Sequence, residues 1–400
     1  MKNISIITGS DLRMVMGVNY FIKSFIQCNE QFKEVKLNRV YSGVQSLDIE
    51  KGDEMPIGSD LGSTEYNVRR GVRSFFRWIL TDKFYPFALF RYEMNLRRVS
   101  KRAVGSFLSD KAGCDYIIFQ ELGVAEYYFK HCSNYPKTKN IKTMLIIHSE
   151  DDSGSMLLEM FEGYGRKDMQ KRFNKMRDFV YSHIDNVMYI SRKAYEHSIM
   201  PEGKKAFVYN GSPDINYISS DKKEKIKQFV CVGSIEGRKG QDKILEAMSL
   251  MDEGHLQKMH VTFVGGGSKE DETKALAADW GLGKYVTFTG RRNDVPEVLK
   301  TMDVFIMPST VEGLPMSAIE AMRAGLYLIL TDTGGNAELC EEGCGTVCTR
   351  DPQNIKSVIY SILDGDIISE NQRLNSYMRF QKNFSLKSMA EGYQKVLLSL

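Results

Sequence analysis

The feature that most constrains this chain is a pair of short apolar runs, Asp303–Met307 (DVFIM) and Leu326–Leu330 (LYLIL), with a helical pattern between them. Both have strand length, and Pro308-Ser309 stops the first one. Pro315 suits the first helical position, where its missing N–H would be unsatisfied anyway. Met316, Ile319 and Met322 then recur at helical spacing, and Gly325 can supply a left-handed cap. The segment therefore reads as strand, loop, helix, strand. Free backbone amides at the helix start form a ready-made anion site.

Two carboxylates frame that start, Glu312 on the loop and Glu320 in the second helical turn, eight positions apart. A diphosphate resting on the amides leaves Glu312 and Glu320 for neutral hydroxyls on either side, because like charges repel. Upstream, Phe229–Gly233 (FVCVG) is a further strand, followed by a glycine-flanked loop carrying Arg238 and Lys239 before a helix. Two cations on such a loop suit a diphosphate that must leave with its charge neutralised. Val261–Gly267 and Tyr285–Arg292 are two more strand-to-glycine transitions, and Gly265–Gly267 allow close backbone approach to a ligand.

EGLPMSAIEAM, followed by TGG, resembles the Glu-x7-Glu signature of the family-4 retaining glycosyltransferases, which have the two-domain GT-B fold. The resemblance is close from about Val187 to Thr349 and loose over residues 1–145. It implies an α/β chain of two Rossmann-like doubly wound domains facing across a cleft. These would be an acceptor-side domain at 1–208 and a nucleotide-sugar domain at 209–375, with a final helical stretch, 376–400, returning to the first. It implies that Glu312 binds the transferred sugar, Glu320 the ribose, and Lys239 with the amides near Leu314, Pro315, Met316 and Ser317 the diphosphate. Ser234 stands where the family pattern has an arginine, and Arg238 is the candidate replacement. Arg291, after the second of those strands, is the implied nucleobase position. Gly17, in the loop after the first strand Ile4–Thr8, is implied near the phosphates, and His148, after strand Thr143–His148, near the sugar. The implied donor is a UDP-sugar, with no metal and no cofactor. Two alternatives stay open, a nucleotide-sugar epimerase of the same fold and a non-catalytic donor-binding subunit.

Composition narrows the partners. A net charge of +3 over 400 residues does not call for nucleic acid. The apolar run at the N-terminus is too short for a signal peptide and none reaches membrane-spanning length, so a cytoplasmic protein is expected. Arg69–Arg102 stands out, with ten Lys or Arg against Asp82 and Glu93, interleaved with large aromatics. That mixture suits docking on an anionic inner-membrane leaflet, where a saccharide or lipid-linked acceptor for surface polysaccharide would be found. Cys340, Cys344 and Cys348 are evenly spaced, but Gly343 and Gly345 break any helix there, which argues against a metal site. The acidic run Glu150-Asp151-Asp152 reads as a solvated helix start, and Asn210-Gly211 as a tight turn.

Overall fold

The computed structural model describes residues 1–13, 17–55, 85–154, 158, 164–215, 226–365 and 367–400. The chain divides into two units, the first made of Met1–Ile190, Ala194–Val208 and Ala390–Leu400, the second of Ser191–Lys193 and Tyr209–Met389. Of the terminal stretch expected with the first domain, residues 376–389 group with the second unit instead.

Unit 1 is built on β1 (Lys2–Thr8), β2 (Val35–Ser42), β3 (Ser46–Asp48), β4 (Tyr116–Phe119), β5 (Lys142–Ile147), β6 (Asn186–Tyr189) and β7 (Lys205–Phe207). Their order is β3-β2-β1-β4-β5-β6-β7, parallel except for the β2/β3 pair. The apolar runs are continuous because the central parallel strands are buried on both faces; Ile4, Ile6 and Ile7 of β1 are all fully buried. Helices covering this sheet include α1 (Gly17–Gln27), α2 (Tyr85–Ser109), α3 (Leu122–His131) and α4 (Tyr164–His183).

Unit 2 contains β8 (Lys227–Val232), β9 (Met259–Val264), β10 (Val286–Gly290), β11 (Val304–Met307), β12 (Tyr327–Thr331) and β13 (Gly345–Cys348), in the order β10-β9-β8-β11-β12-β13 and all parallel. Its helices include α5 (Gln241–Ser249), α6 (Glu270–Asp279), α7 (Met316–Arg323) and α8 (Pro352–Asp364). The last helix, α9 (Leu386–Ser399), begins in unit 2 and ends in unit 1, where Tyr393 packs edge-on against Phe25 at 5.0 Å.

Three local expectations need correcting. Asn210-Gly211 does not form the expected tight turn: Gly211 is required for closeness, since a Cβ there would sit 2.6 Å from the Ser385 carbonyl oxygen. The acidic run is not solvated throughout. Asp152 is buried and accepts hydrogen bonds from the Tyr181 hydroxyl (2.6 Å), the Tyr189 hydroxyl (2.9 Å), the Ser198 hydroxyl (2.9 Å) and the Ile199 amide (3.0 Å). Four donors, from residues far along the chain, replace the water that an acidic run would otherwise keep. Pro315 stands one position earlier than expected, capping α7 rather than opening it. Of the basic aromatic stretch, residues 69–84 lie outside the described residues. The remainder lies in α2, where Phe90, Arg91, Met94, Arg97, Arg98, Lys101 and Arg102 are exposed.

Candidate active site

In unit 2 the strand order reverses direction between β8 and β11, and in open parallel sheets a ligand crevice forms beyond the carboxyl ends of the strands at such a point. The loops that leave β8, β11 and β12 there are tied to one another by backbone. Gly240, at φ +79°, comes so near the loop after β11 that a Cβ would meet the Pro308 carbonyl oxygen at 2.3 Å. The Thr310 amide donates to the Arg238 carbonyl at 2.8 Å. From the third loop the Gly335 amide donates to the Gly313 carbonyl at 2.7 Å, and the Thr331 hydroxyl donates to the Ser309 carbonyl at 2.7 Å. Gly334, at φ +53°, lies against the Glu312 carbonyl oxygen, 2.1 Å from where its Cβ would stand. Glycines are used here because three backbones converge.

That bracing holds Glu312 beside the two cations of the first loop. Lys239 Nζ donates to Glu312 Oε1 at 2.6 Å, and Arg238 Nη1 stands 3.6 Å from the same oxygen. Glu312 is only 6% exposed, so water screens this pair poorly and the lysine and carboxylate attract strongly. The sequence placed the cations on a phosphate and the acid on a sugar; the structure sets both cations against the acid.

Helix α7 starts beside them. Its first intrahelical bonds are donated by Ala318 and Ile319 to the Pro315 carbonyl, at 3.1 and 3.2 Å. The amides of Met316 and Ser317 precede those bonds, and Leu314 supplies another amide just before the helix. Pro315 has no N–H, so it shapes the helix entry but donates nothing. Gly325 takes φ +78° after the last turn, as its position requires. Glu320 is half-buried one turn into the helix. One turn further on, Arg323 is buried and donates to the Ser212 hydroxyl (3.0 Å) and the Pro213 carbonyl (2.7 Å), anchoring α7 to the chain entering unit 2. Arg291 is exposed beyond β10, its side chain lying along Gly266, so the two glycine transitions do meet.

In unit 1 His148 follows β5, and its Nε2 lies 2.7 Å from Gln120 Oε1 at the end of neighbouring β4. Phe21 of α1 meets the imidazole edge-on at 5.1 Å, and burial pushes the histidine pKa down to about 4. Gly17 opens α1 and is exposed; a Cβ there would meet nothing within 4 Å. Neither crowding nor a left-handed φ explains a glycine at 17.

Sequence reasoning missed two carboxylates. Glu121 accepts from the Thr8 hydroxyl (2.8 Å), the Gly9 amide (2.9 Å) and the Ser10 hydroxyl (2.8 Å), binding the end of β4 to the loop after β1 where the order of this sheet reverses. Burial raises its pKa above the ordinary carboxylate value despite those donors. Its position directly after the buried run DYIIFQ was the available signal. Glu338, buried, accepts from the Arg192 and Lys193 amides (both 2.9 Å) and the Tyr209 hydroxyl (2.7 Å), fixing both points at which the chain enters unit 2. Among the described residues no cluster of His, Cys, Asp or Glu is arranged to hold a metal ion, and Cys340, Cys344 and Cys348 are buried free thiols. No described helix is long and apolar enough to cross a membrane.

The model of the family described as Glycosyl transferases group 1 matches residues 215–381. The chain is 33% identical over 150 residues to the lipopolysaccharide glucosyltransferase WaaG of Escherichia coli (strain K12), a match covering 37% of this chain and 40% of that protein. The chain spans about half or less of the first curated relatives it matches, 40% to 52% of their length. Along the whole of both chains its fold matches sucrose-phosphate synthase from Thermosynechococcus elongatus (TM-score 0.71, 17% identity) and Anabaena HepE in complex with UDP (TM-score 0.66, 14% identity). The chain shares the GT-B fold of these proteins.

Proposed function

We propose that this chain, whose residues 215–381 belong to the group 1 glycosyl transferases, is a retaining glycosyltransferase that moves a sugar from a UDP-linked donor to a saccharide or lipid-linked saccharide. One observation carries the reading. Lys239, Arg238 and Glu312 converge at the reversal point of the second sheet, beside the first amides of α7. UDP is the nucleotide bound by a protein of the same fold, and relatives of this chain act in lipopolysaccharide and capsule synthesis.

The ion pair gives the site its chemistry. A diphosphate carries more charge than a carboxylate, so Lys239 Nζ would turn from Glu312 to the incoming phosphates, with Arg238 and the amides of Leu314, Met316 and Ser317 completing the cradle. Glu312, relieved of its cation, then accepts from sugar hydroxyls, while Glu320 accepts from the ribose. Arg291, beside Gly266, borders the nucleobase. As the bond between the anomeric carbon and the phosphate oxygen breaks, its electron pair leaves with the diphosphate. The acceptor hydroxyl attacks the same face, and its proton passes to the departing phosphate oxygen. Stabilising the leaving charge is the main task of the protein, and donors fixed in advance do it without reorganising. His148 and the Gly17 backbone are assigned to the donor sugar and phosphates. The exposed Phe90, Met94 and cations of α2 are assigned to an anionic membrane surface.

A panel of nucleotide sugars scored by thermal shift, then by turnover with and without EDTA, tests this. A UDP-sugar should raise the unfolding midpoint of the intact chain and lose that effect in Lys239→Ala. Turnover should survive EDTA and yield a product of retained anomeric configuration. An epimer formed from donor alone would replace transfer by isomerisation, and no response to any nucleotide sugar would remove the proposal.

A further inference from the structure

His148 and Gln120 end adjacent parallel strands of unit 1, and among the described residues the Gln120 side chain hydrogen-bonds to the histidine alone. Gln120 is buried, and its Nε2 has no hydrogen-bond partner among the described residues. A buried amide left half unmatched costs free energy that an apolar side chain of the same size would not, so general packing does not favour glutamine here. What the glutamine provides is an acceptor aimed at the imidazole.

The chemistry of that acceptor fixes more than position. The ring is neutral around pH 7, since burial holds its pKa near 4, so one nitrogen carries the only N–H. Gln120 Oε1 can only accept, which makes Nε2 the donor and leaves the lone pair on Nδ1. Phe21 set edge-on to the ring and itself buried limits rotation about the remaining axis. We infer that Gln120 is a positioning residue that locks His148 as its Nε2–H tautomer, so that Nδ1 is left as a hydrogen-bond acceptor for a hydroxyl of the sugar assigned to this histidine. This rests on the assignment of His148 to the donor sugar; the tautomer itself does not.

The test is imidazole NMR of the full chain labelled with nitrogen-15 at histidine, with His148→Gln identifying the signal. The unsubstituted chain should show the proton on Nε2 and the lone pair on Nδ1. In Gln120→Leu, Nε2–H should exchange with water about fivefold faster or more, the equivalent of one net hydrogen bond, and Gln120→Glu should restore slow exchange by restoring an acceptor. A proton on Nδ1 in the unsubstituted chain overturns the inference, and so does unchanged exchange in Gln120→Leu with a native amide spectrum. Should Gln120→Leu fail to fold, the tautomer of the unsubstituted chain decides alone. A tautomer as assigned, combined with undiminished sugar transfer by His148→Ala, would remove the sugar-site assignment while leaving the hydrogen bond intact.

Discussion

The two sheets reverse strand order in the same way, and each carries a glutamate at the reversal, yet the two glutamates have different company. Glu121 is gripped by two hydroxyls and an amide from the end of β1 and the loop after it. Glu312 is held by a lysine, with an arginine near by. Short neutral donors attached to a fixed loop cannot follow another partner, so Glu121 is a clasp. A lysine on a four-carbon stem can swing to a stronger anion, so the Glu312 pair can open for a ligand. Shared topology therefore supplies two equivalent positions, and the mobility and charge of the partner separate scaffold from chemistry.

The largest effect should come from exchanging these roles by mutation. If Glu312 holds the transferred sugar as proposed, Glu312→Ala should cut sugar transfer by about a hundredfold or more, because it removes an interaction at the reacting centre. Glu121→Ala strands three donors; at about 1 kcal/mol or more apiece it should lower the stability of unit 1 by about 3 kcal/mol. Its kcat, measured well below the unfolding temperature, should stay within about threefold of the parent, as expected for a surface or scaffold change away from reacting groups. Loss of turnover in Glu121→Ala at full folding, or its survival in Glu312→Ala, would invert the comparison.

How much of this was legible depends on the range of the interactions involved. Strand positions follow from runs such as ISIIT and DVFIM, whose burial needs only the residues within them. The cations and acids of unit 2 were also legible, since Arg238 and Lys239 lie on one short loop and Glu312 and Glu320 on one loop and helix. Their direct contact was not, because it depends on backbone crossings at Gly240 and Gly334. The partners of Glu121 and Asp152 were hidden for a related reason. The hydroxyls that satisfy them come from positions 8, 10, 181, 189 and 198, and no local pattern announces such pairings. An acidic residue in sequence looks solvated until the fold brings donors to it.

Two histidines sharpen the comparison of the units through opposite responses to acid. In unit 1 the folded pKa of His148 lies below the ordinary 6.5, at about 4, so its contribution is present above pH 6.5 and is lost as pH falls toward 4. In unit 2 His255 sits between Asp364 (3.0 Å) and Asp252 (2.6 Å), which raise its pKa. Its contribution is therefore full below pH 6.5 and is lost as pH rises through the raised value. Both aspartates have lowered pKa values, so they stay charged across this range. Thermal unfolding at pH 7.5 and pH 5 should show His255→Gln costing more at pH 5. His148→Gln should lose less than the parent between the same two values. Equal signs for the two variants would mean that one of these environments is wrongly described.

Glycine gives a further contrast between the units, one that ends on the smallest effect. Gly334→Ala places a methyl 2.1 Å from the Glu312 carbonyl oxygen at φ +53°, and should cost about 3 kcal/mol, roughly 10 °C in the unfolding midpoint of unit 2. Gly17→Ala has open space around it and lies at the first turn of α1, where alanine is the better helix former. Its midpoint should hold or rise by a degree or two. If the Gly17 backbone approaches the donor phosphates, that same methyl occupies ligand space, and the thermal shift produced by a UDP-sugar should shrink while the stability of the free chain does not. A Gly17→Ala chain with an undiminished donor shift would leave glycine at 17 without a role, and would place the whole of phosphate recognition on the lysine, the arginine and the helix start of unit 2.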